Sequence, residues 1–550
     1  MSAAAEARAE AGLKKGLDLD DILVDEVGQV GRYQLAILAL VAFPCIFSGF
    51  TGEYVFTTAR IPTRCRIPQC DGPDPEFTPS WAANAIPVTS SGAFDQCNRF
   101  SNSSYQGSVS PDSCPAFLFD TASTESCEEY VYENNYSVVH EFGLACDEWR
   151  RSLIGSIRVM GDLLVLPITG YISDRWGRRV AITINAFNLA WTGFVRSFVN
   201  SYELFLAFEV LESAIGAGTY SSCYILVAEL FGPKYRVAAG ASLSTMFATG
   251  QVILGFIAWG VPYWRTLTRV IYGPLLLVIS YYWLLPESVR WLLSKGRYED
   301  AEKILRNVAK KNKKHLSDKS LEALRASAEA EKTRVKPREV WLPLQVFRSR
   351  VILSRCCVTP IWWITTTLVY YGMSINAVNL SGNPYLNYAI VAAVEIPGYW
   401  TAILLLDRIG RKAMMISAYG ICAICQFTFA FSPAGLEVLN MAVYLIGKYC
   451  ISIVVTSMYV YTAELYPTKY RHNLFAFSSM LGRVGSITAP LTPALALNVW
   501  ESLPSVMFGS FALLSATLVF TTPETLGTKL PDTMEDAENL ATRKTTAQKD

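Results

Sequence analysis

The chain has 550 residues, of which 51% are apolar and only 17% charged, and its formal net charge is +1. A soluble chain carries about 25% charged residues, so this composition excludes an ordinary soluble domain. The near-neutral balance gives no reason to expect a nucleic-acid partner. The charges crowd into residues 57–150, 286–350 and the two ends, and apolar runs fill the space between them.

Residues 1–32 have no apolar core beside a cleavage site and read as a retained cytoplasmic N-terminus rather than a signal peptide. Twelve apolar runs follow, each near the roughly 20 residues that cross a bilayer as a helix. Six lie near 33–56, 151–173, 180–198, 202–226, 237–260 and 266–285, and six near 351–375, 386–406, 413–431, 438–462, 473–495 and 504–521. Spans 2, 4, 7 and 10 carry the most polar residues. The expected fold is an all-α membrane protein with two six-helix halves, 33–285 and 351–521, a linker 286–350 and a cytoplasmic tail 522–550 that reads as disordered from Asp532.

The loop 57–147 holds 4 basic and 12 acidic side chains, whereas 295–340 holds 14 basic and 8 acidic. Basic segments stay in the cytoplasm, so both termini are expected there and 57–147 outside, an orientation that suits the plasma membrane. Six of the 13 cysteines, Cys65, Cys70, Cys97, Cys114, Cys127 and Cys146, fall in or beside that loop and read as three disulfides. Six cysteines allow 15 pairings, and their spacing does not choose among them. The same loop carries glycosylation sequons at Asn102 and Asn135. In the linker, PESVRWLLSKGRYEDAEKIL reads as one or two amphipathic helices lying on the bundle or in the lipid interface, and beyond Lys310 the segment reads as loose.

Three motifs recur in order. DRWGRR at 174–179 returns as DRIGRK at 407–412, AELFGPKYR at 228–236 as AELYPTKYR at 463–471, and PESVRW at 286–291 loosely as PETLG at 523–527, with offsets of 233, 235 and 237 residues. Each follows the second, fourth or sixth span of its half. Parallel repeats of this kind suit a transporter whose site lies between the halves. Asp174, Arg175, Gly177, Arg178, Glu229 and Arg236, with Asp407, Arg408, Arg411, Glu464 and Arg471, are expected to form gating networks, with charges pairing across the closed cytoplasmic face.

The cysteine-rich loop together with DRWGRR, PESVRWLLSKGRYEDA, SGNPYLNY, VEIPG before DRIGRK and AELYPTKYR resembles the organic ion transporter family of the major facilitator superfamily, which includes organic cation, anion and carnitine transporters. An insect-like organic cation transporter is one such resemblance. The likeness runs from Tyr33 to about Gly527 and implies alternating-access movement of small organic cations, anions or zwitterions, in some members with a coupling ion such as sodium. One departure is GDLLVLPITG, where Pro167 interrupts the usual glycine-rich stretch.

Ionisable groups inside spans are costly and mark candidate sites. Arg158 and Asp162, spaced i,i+4, are expected to neutralise each other. Glu209 and Glu212 would repel if both were buried and charged. The resemblance implies that Glu395 in VEIPG and Lys448 in IGKYC form a charged pair near the site, either a static strut or a pair that forms and breaks. At Arg483 in MLGRVGS the cation transporters typically carry an aspartate. The arginine here implies an anion- or carnitine-type site, since its five donors suit a carboxylate. The anion transporters add a lysine in span 8, where this chain has Tyr399. Arg483 for a carboxylate and Glu395 for an ammonium together describe a zwitterion such as carnitine, a betaine or β-alanine, with Tyr370, Tyr371 and Tyr399 offering aromatic faces to the ammonium. The alternatives are an organic cation facilitator, an organic anion exchanger, or a non-transporting receptor or scaffold on the same fold. No catalytic triad, metal cluster or nucleotide loop is visible, so no enzyme, metal or cofactor is expected.

Overall fold

The computed structural model describes residues 19–89, 94–103, 114–333, 342–433, 435–528, 530–531 and 534–540. Every one of the twelve apolar runs is helical. In the first half these are α1 (Arg32–Thr57), α2 (Glu148–Trp176), α3 (Arg178–Arg196), α4 (Tyr202–Gly216 and Thr219–Leu230), α5 (Pro233–Gly260) and α6 (Trp264–Leu284). In the second they are α7 (Arg350–Asn379), α8 (Pro384–Ile409), α9 (Arg411–Phe431), α10 (Glu437–Leu465), α11 (Arg471–Thr488, then Thr492–Asn498) and α12 (Leu503–Val519). Among the described residues, eight helices are long and apolar enough to cross a membrane: α1, α2 and α5–α10. The four that fall short are α3, α4, α11 and α12, so of the spans expected to be most polar only α4 is among them. Helix α2 runs unbroken through Pro167.

Within each half the helices pack closely where glycines remove side chains. A Cβ on Gly216 would collide with Leu189 of α3, and one on Gly485 with Ile364 of α7. Between the halves, α2 packs on α11 and α5 on α8. These contacts gather toward the face that carries the cysteine-rich loop. Phe56 at the end of α1 stacks on Tyr385 of α8 with centroids 5.4 Å apart, and Gly155 of α2 faces Pro490 at the break in α11. The halves are therefore closed at the loop face.

The loop itself holds two antiparallel pairs. Strand β1 (Thr63–Cys65) pairs with β4 (Tyr130–Tyr132), and β2 (Asn98–Asn102) with β3 (Phe119–Ser126). All six predicted cysteines are bonded, as Cys65–Cys127, Cys70–Cys114 and Cys97–Cys146. Asn102 and Asn135 are exposed.

The linker departs from expectation. It forms helices Val289–Ser294 and Tyr298–Lys311, then a third, Asp318–Thr333, in the stretch expected to be loose. Trp291, Leu292 and Leu305 are buried, so these helices lie on the bundle. Asn312 accepts from the Tyr33 amide at 3.0 Å and tethers the linker to the start of α1. The tail was also misjudged: Met534–Glu538 is a helix, and the Ala537 carbonyl accepts from Arg355 of α7 at 2.7 Å. Residues 1–18 of the N-terminal segment, 334–341 of the linker and 541–550 of the tail lie outside the described residues.

Candidate functional site

Pro397 has no N–H for the carbonyl four residues back, and α8 is interrupted at Val394, just before Glu395. Gly398 lets α8 approach Tyr449 and Ser452 of α10. Glu395 and Lys448 therefore meet in a region where both are 0% exposed, with Lys448 Nζ 2.9 Å from Glu395 Oε1. The Tyr370 and Tyr399 hydroxyls donate to Glu395 Oε2 at 2.5 and 2.9 Å. Lys448 Nζ also donates to the Tyr370 carbonyl at 2.8 Å and to Ser374 Oγ at 2.7 Å. The lysine thus makes two hydrogen bonds and one ion pair. Glu395, expected to stand ready for a substrate ammonium, is enclosed by one lysine and two tyrosines in this conformation.

Arg483 projects from α11 toward the other half. Its Nη1 lies 3.8 Å from Asp162 Oδ2 of α2, and the two side chains are 25% and 24% exposed. That distance is an ion pair without a hydrogen bond. Asp162 also accepts from Ser213 Oγ of α4. Tyr371 and Tyr459 share the electrostatic environment of Arg483, and Tyr459 is 48% exposed. The structure thus brings Arg483 together with Tyr371 and Asp162. It sets Glu395, Lys448, Tyr370 and Tyr399 apart as a closed group, joined to the first through the edge-to-face rings of Tyr370 and Tyr371, 5.2 Å apart.

The expected Arg158–Asp162 pair does not form. Arg158 turns instead to α4, reaching Glu212 Oε1 at 2.7 Å and also bonding Glu209. Arg196, from the end of α3, bonds Glu53 and Glu209 and lies 3.1 Å from Glu212 Oε2. The Tyr272 hydroxyl of α6 donates to Glu212 at 2.6 Å. Glu209 and Glu212 are both wholly buried, because two guanidiniums stand between them. The i,i+4 spacing identified a shared face, but two carboxylates from a neighbouring helix outcompete one on the same helix.

On the face opposite the cysteine-rich loop, the repeated motifs fold alike. Arg178 Nη1 lies 2.9 Å from Asp174 and Nη2 3.0 Å from Glu229. Arg411 repeats this with Asp407 at 2.9 Å and Glu464 at 3.0 Å. Gly177 and Gly410 have φ of +107° and +102°, a region open mainly to glycine. A Cβ on either would strike Glu287 or Glu524. Those two carboxylates cap the next helix of each half, Glu287 accepting from the Arg178 amide at 2.7 Å and Glu524 from the Arg411 amide at 3.0 Å. Burial raises the Glu287 carboxyl, against the pull of the Ser288, Arg178 and Arg179 amides. At Glu524 the same burial is outweighed by the Leu526, Arg411, Lys412 and Thr525 amides, and the carboxyl lies below its usual range. In this conformation, closed at the loop face, these charges pair within each half. Arg236 bonds Asp20 and the Ala228 carbonyl, Arg471 bonds the Tyr466 carbonyl and Thr468, and Arg175 and Arg408 are exposed.

Residues 91–536 match the Sugar (and other) transporter family. Solute carrier family 22 member 1 of Oryctolagus cuniculus is 30% identical, covering 95% of each chain. The chain belongs to solute carrier family 22. The organic cation transporter protein of Drosophila melanogaster is likewise 30% identical over 94% of each chain, and member 6 of Rattus norvegicus is 28% identical over 94% of each. The xylose transporter XylE of E. coli in a partially occluded inward-open conformation shares the fold, with a TM-score of 0.60 at 16% identity, covering 90% of this chain and 100% of that one. This solute carrier is thus a membrane-spanning secondary transporter of the major facilitator superfamily.

Sequence reasoning did not single out Glu287, Glu524, Glu53 or Arg196. Glu287 and Glu524 are the acids of the PES and PET repeats, so the third repeat already marked them. Glu53 and Arg196 lie at the ends of α1 and α3, where a charge reads as a solvated helix end; nothing local revealed that both are buried.

Proposed function

We propose that this protein carries small zwitterionic organic solutes across the plasma membrane by alternating access, with both termini and the motif face cytoplasmic and the cysteine-rich loop outside. The observation that carries this reading is the Arg483–Asp162 pair, which spans the two halves at 3.8 Å with each side chain about one quarter exposed. A loose ion pair of this kind is an acceptor for a molecule bearing both charges. The guanidinium takes the carboxylate, and Asp162, with Tyr371 near both charges, takes the ammonium. Asp162 thereby replaces Glu395 as the group that meets the ammonium. The Glu395–Lys448 group serves as an internal pair within the second half, and the paired motif networks hold each half rigid while the halves rock.

The test is uptake in transfected cells of carnitine, β-alanine, tetraethylammonium and a dicarboxylate, each with and without sodium. Carnitine or β-alanine uptake is expected to exceed the other two. Arg483→Glu is expected to abolish it at unchanged surface abundance. The charge swap Asp162→Arg with Arg483→Asp is expected to stay inactive. Restoration by the swap would show a strut between the halves instead of a carboxylate site.

A further inference from the structure

The buried cluster of the first half does not balance its charge. Glu53 from α1 and Glu209 and Glu212 from α4 are each 0% exposed. Against these three carboxylates stand two guanidiniums, Arg158 of α2 and Arg196 of α3, with side chains 6% and 1% exposed. One negative charge is left over. The other groups facing the cluster do not cancel it. Tyr272 of α6 donates a hydroxyl, the Tyr54 ring lies 5.9 Å from the Arg158 guanidinium, and Tyr388 of α8 faces Glu53 from the other half. Asp162, one turn beyond Arg158, is matched by Arg483. Helix ends do not help either. Glu53 sits in the last turns of α1, where the helix dipole is negative.

A leftover carboxylate charge in a dry interior is strongly unfavourable, and such a group neutralises instead. Each acid has one buried oxygen without a hydrogen bond, Glu53 Oε2, Glu209 Oε1 and Glu212 Oε2, and the last two face Arg196 Nη1. Among the described residues, no grouping of His, Cys, Asp and Glu is arranged to hold a metal ion.

We propose that this cluster is a proton-binding site, carrying one proton shared among Glu53, Glu209 and Glu212. It lies one helical turn from the Asp162–Arg483 pair that spans the halves, and is distinct from the proposed solute site.

Infrared spectroscopy of the purified full-length protein at neutral pH, without any substrate, tests this independently of the transport reading. The expected spectrum contains the carbonyl stretch of a buried, protonated carboxylic acid, shifted in heavy water. Glu53→Gln brings the cluster to two acids against two arginines and is expected to abolish that band. Should that variant not survive purification, Glu212→Gln changes the count in the same way and carries the same expectation. A wild-type spectrum without the band, or a band that persists in the folded Gln variant, overturns the proposal.

Discussion

Replacing Lys448 by methionine isolates what the buried pair contributes. Methionine keeps most of the volume but removes the charge, so the ion pair at 2.9 Å and the bonds to the Tyr370 carbonyl and Ser374 are lost together. Glu395 keeps its two tyrosine hydroxyls, yet becomes an uncompensated charge at a site with no exposure. Removing one partner of a buried pair costs about 3–5 kcal/mol. A factor of ten corresponds to about 1.4 kcal/mol, and where the loss falls on the unfolding side the half-life at a fixed temperature drops roughly 100-fold or more. The double variant Lys448→Met with Glu395→Gln removes both charges and keeps an amide for the tyrosines. It is expected to return to within about tenfold of the parent, since neutral replacement of a buried pair is often tolerated. The assay is the decay of monodisperse protein in detergent on heating, followed by size-exclusion chromatography. If the double variant decays as fast as the single one, the pair is not what the lysine stabilises.

Gly177→Ala and Gly410→Ala each force a Cβ into a positive-φ position facing a capping carboxylate. Backbone strain of this kind is on the order of 1–3 kcal/mol, and both are expected to lower heat stability and maximal uptake rate, whereas Ala at the open Gly420 is expected to change neither. Cys97→Ser with Cys146→Ser opens a bond spanning 49 residues, worth about 4 kcal/mol by loop entropy. Its loss is expected to reduce surface abundance, and non-reducing peptide mapping of the parent is expected to recover the three observed pairs and no others.

Some of the site was visible as pattern. The repeats at 174, 228 and 286 and their partners marked all the residues that meet at Gly177 and Gly410, because a repeated motif carries its contacts with it. The pairing of Glu395 in span 8 with Lys448 in span 10 was legible only through the family resemblance. Asp162 was misread. Its spacing from Arg158 shows only that both share a helix face, and which partner wins depends on what α4 and α11 bring to that face. The linker beyond Lys310 and the tail were misread for a related reason. Beyond Lys310 and in the tail the charge is real, but Leu324, Ala537 and their neighbours bury against the bundle, and the strength of that docking surface is not written in the segment itself.

The sequence by itself determined the number and order of the apolar helices, the two-half repeat and the six cysteines that bond, since length, hydropathy and local motif are properties of a continuous stretch. Only the tertiary structure decided how those cysteines pair, that Asp162 faces Arg483, that Glu395 is enclosed, and that three acids share two arginines in the first half. Each of these is a choice among partners on different helices, made by burial and Coulomb attraction once the helices have packed.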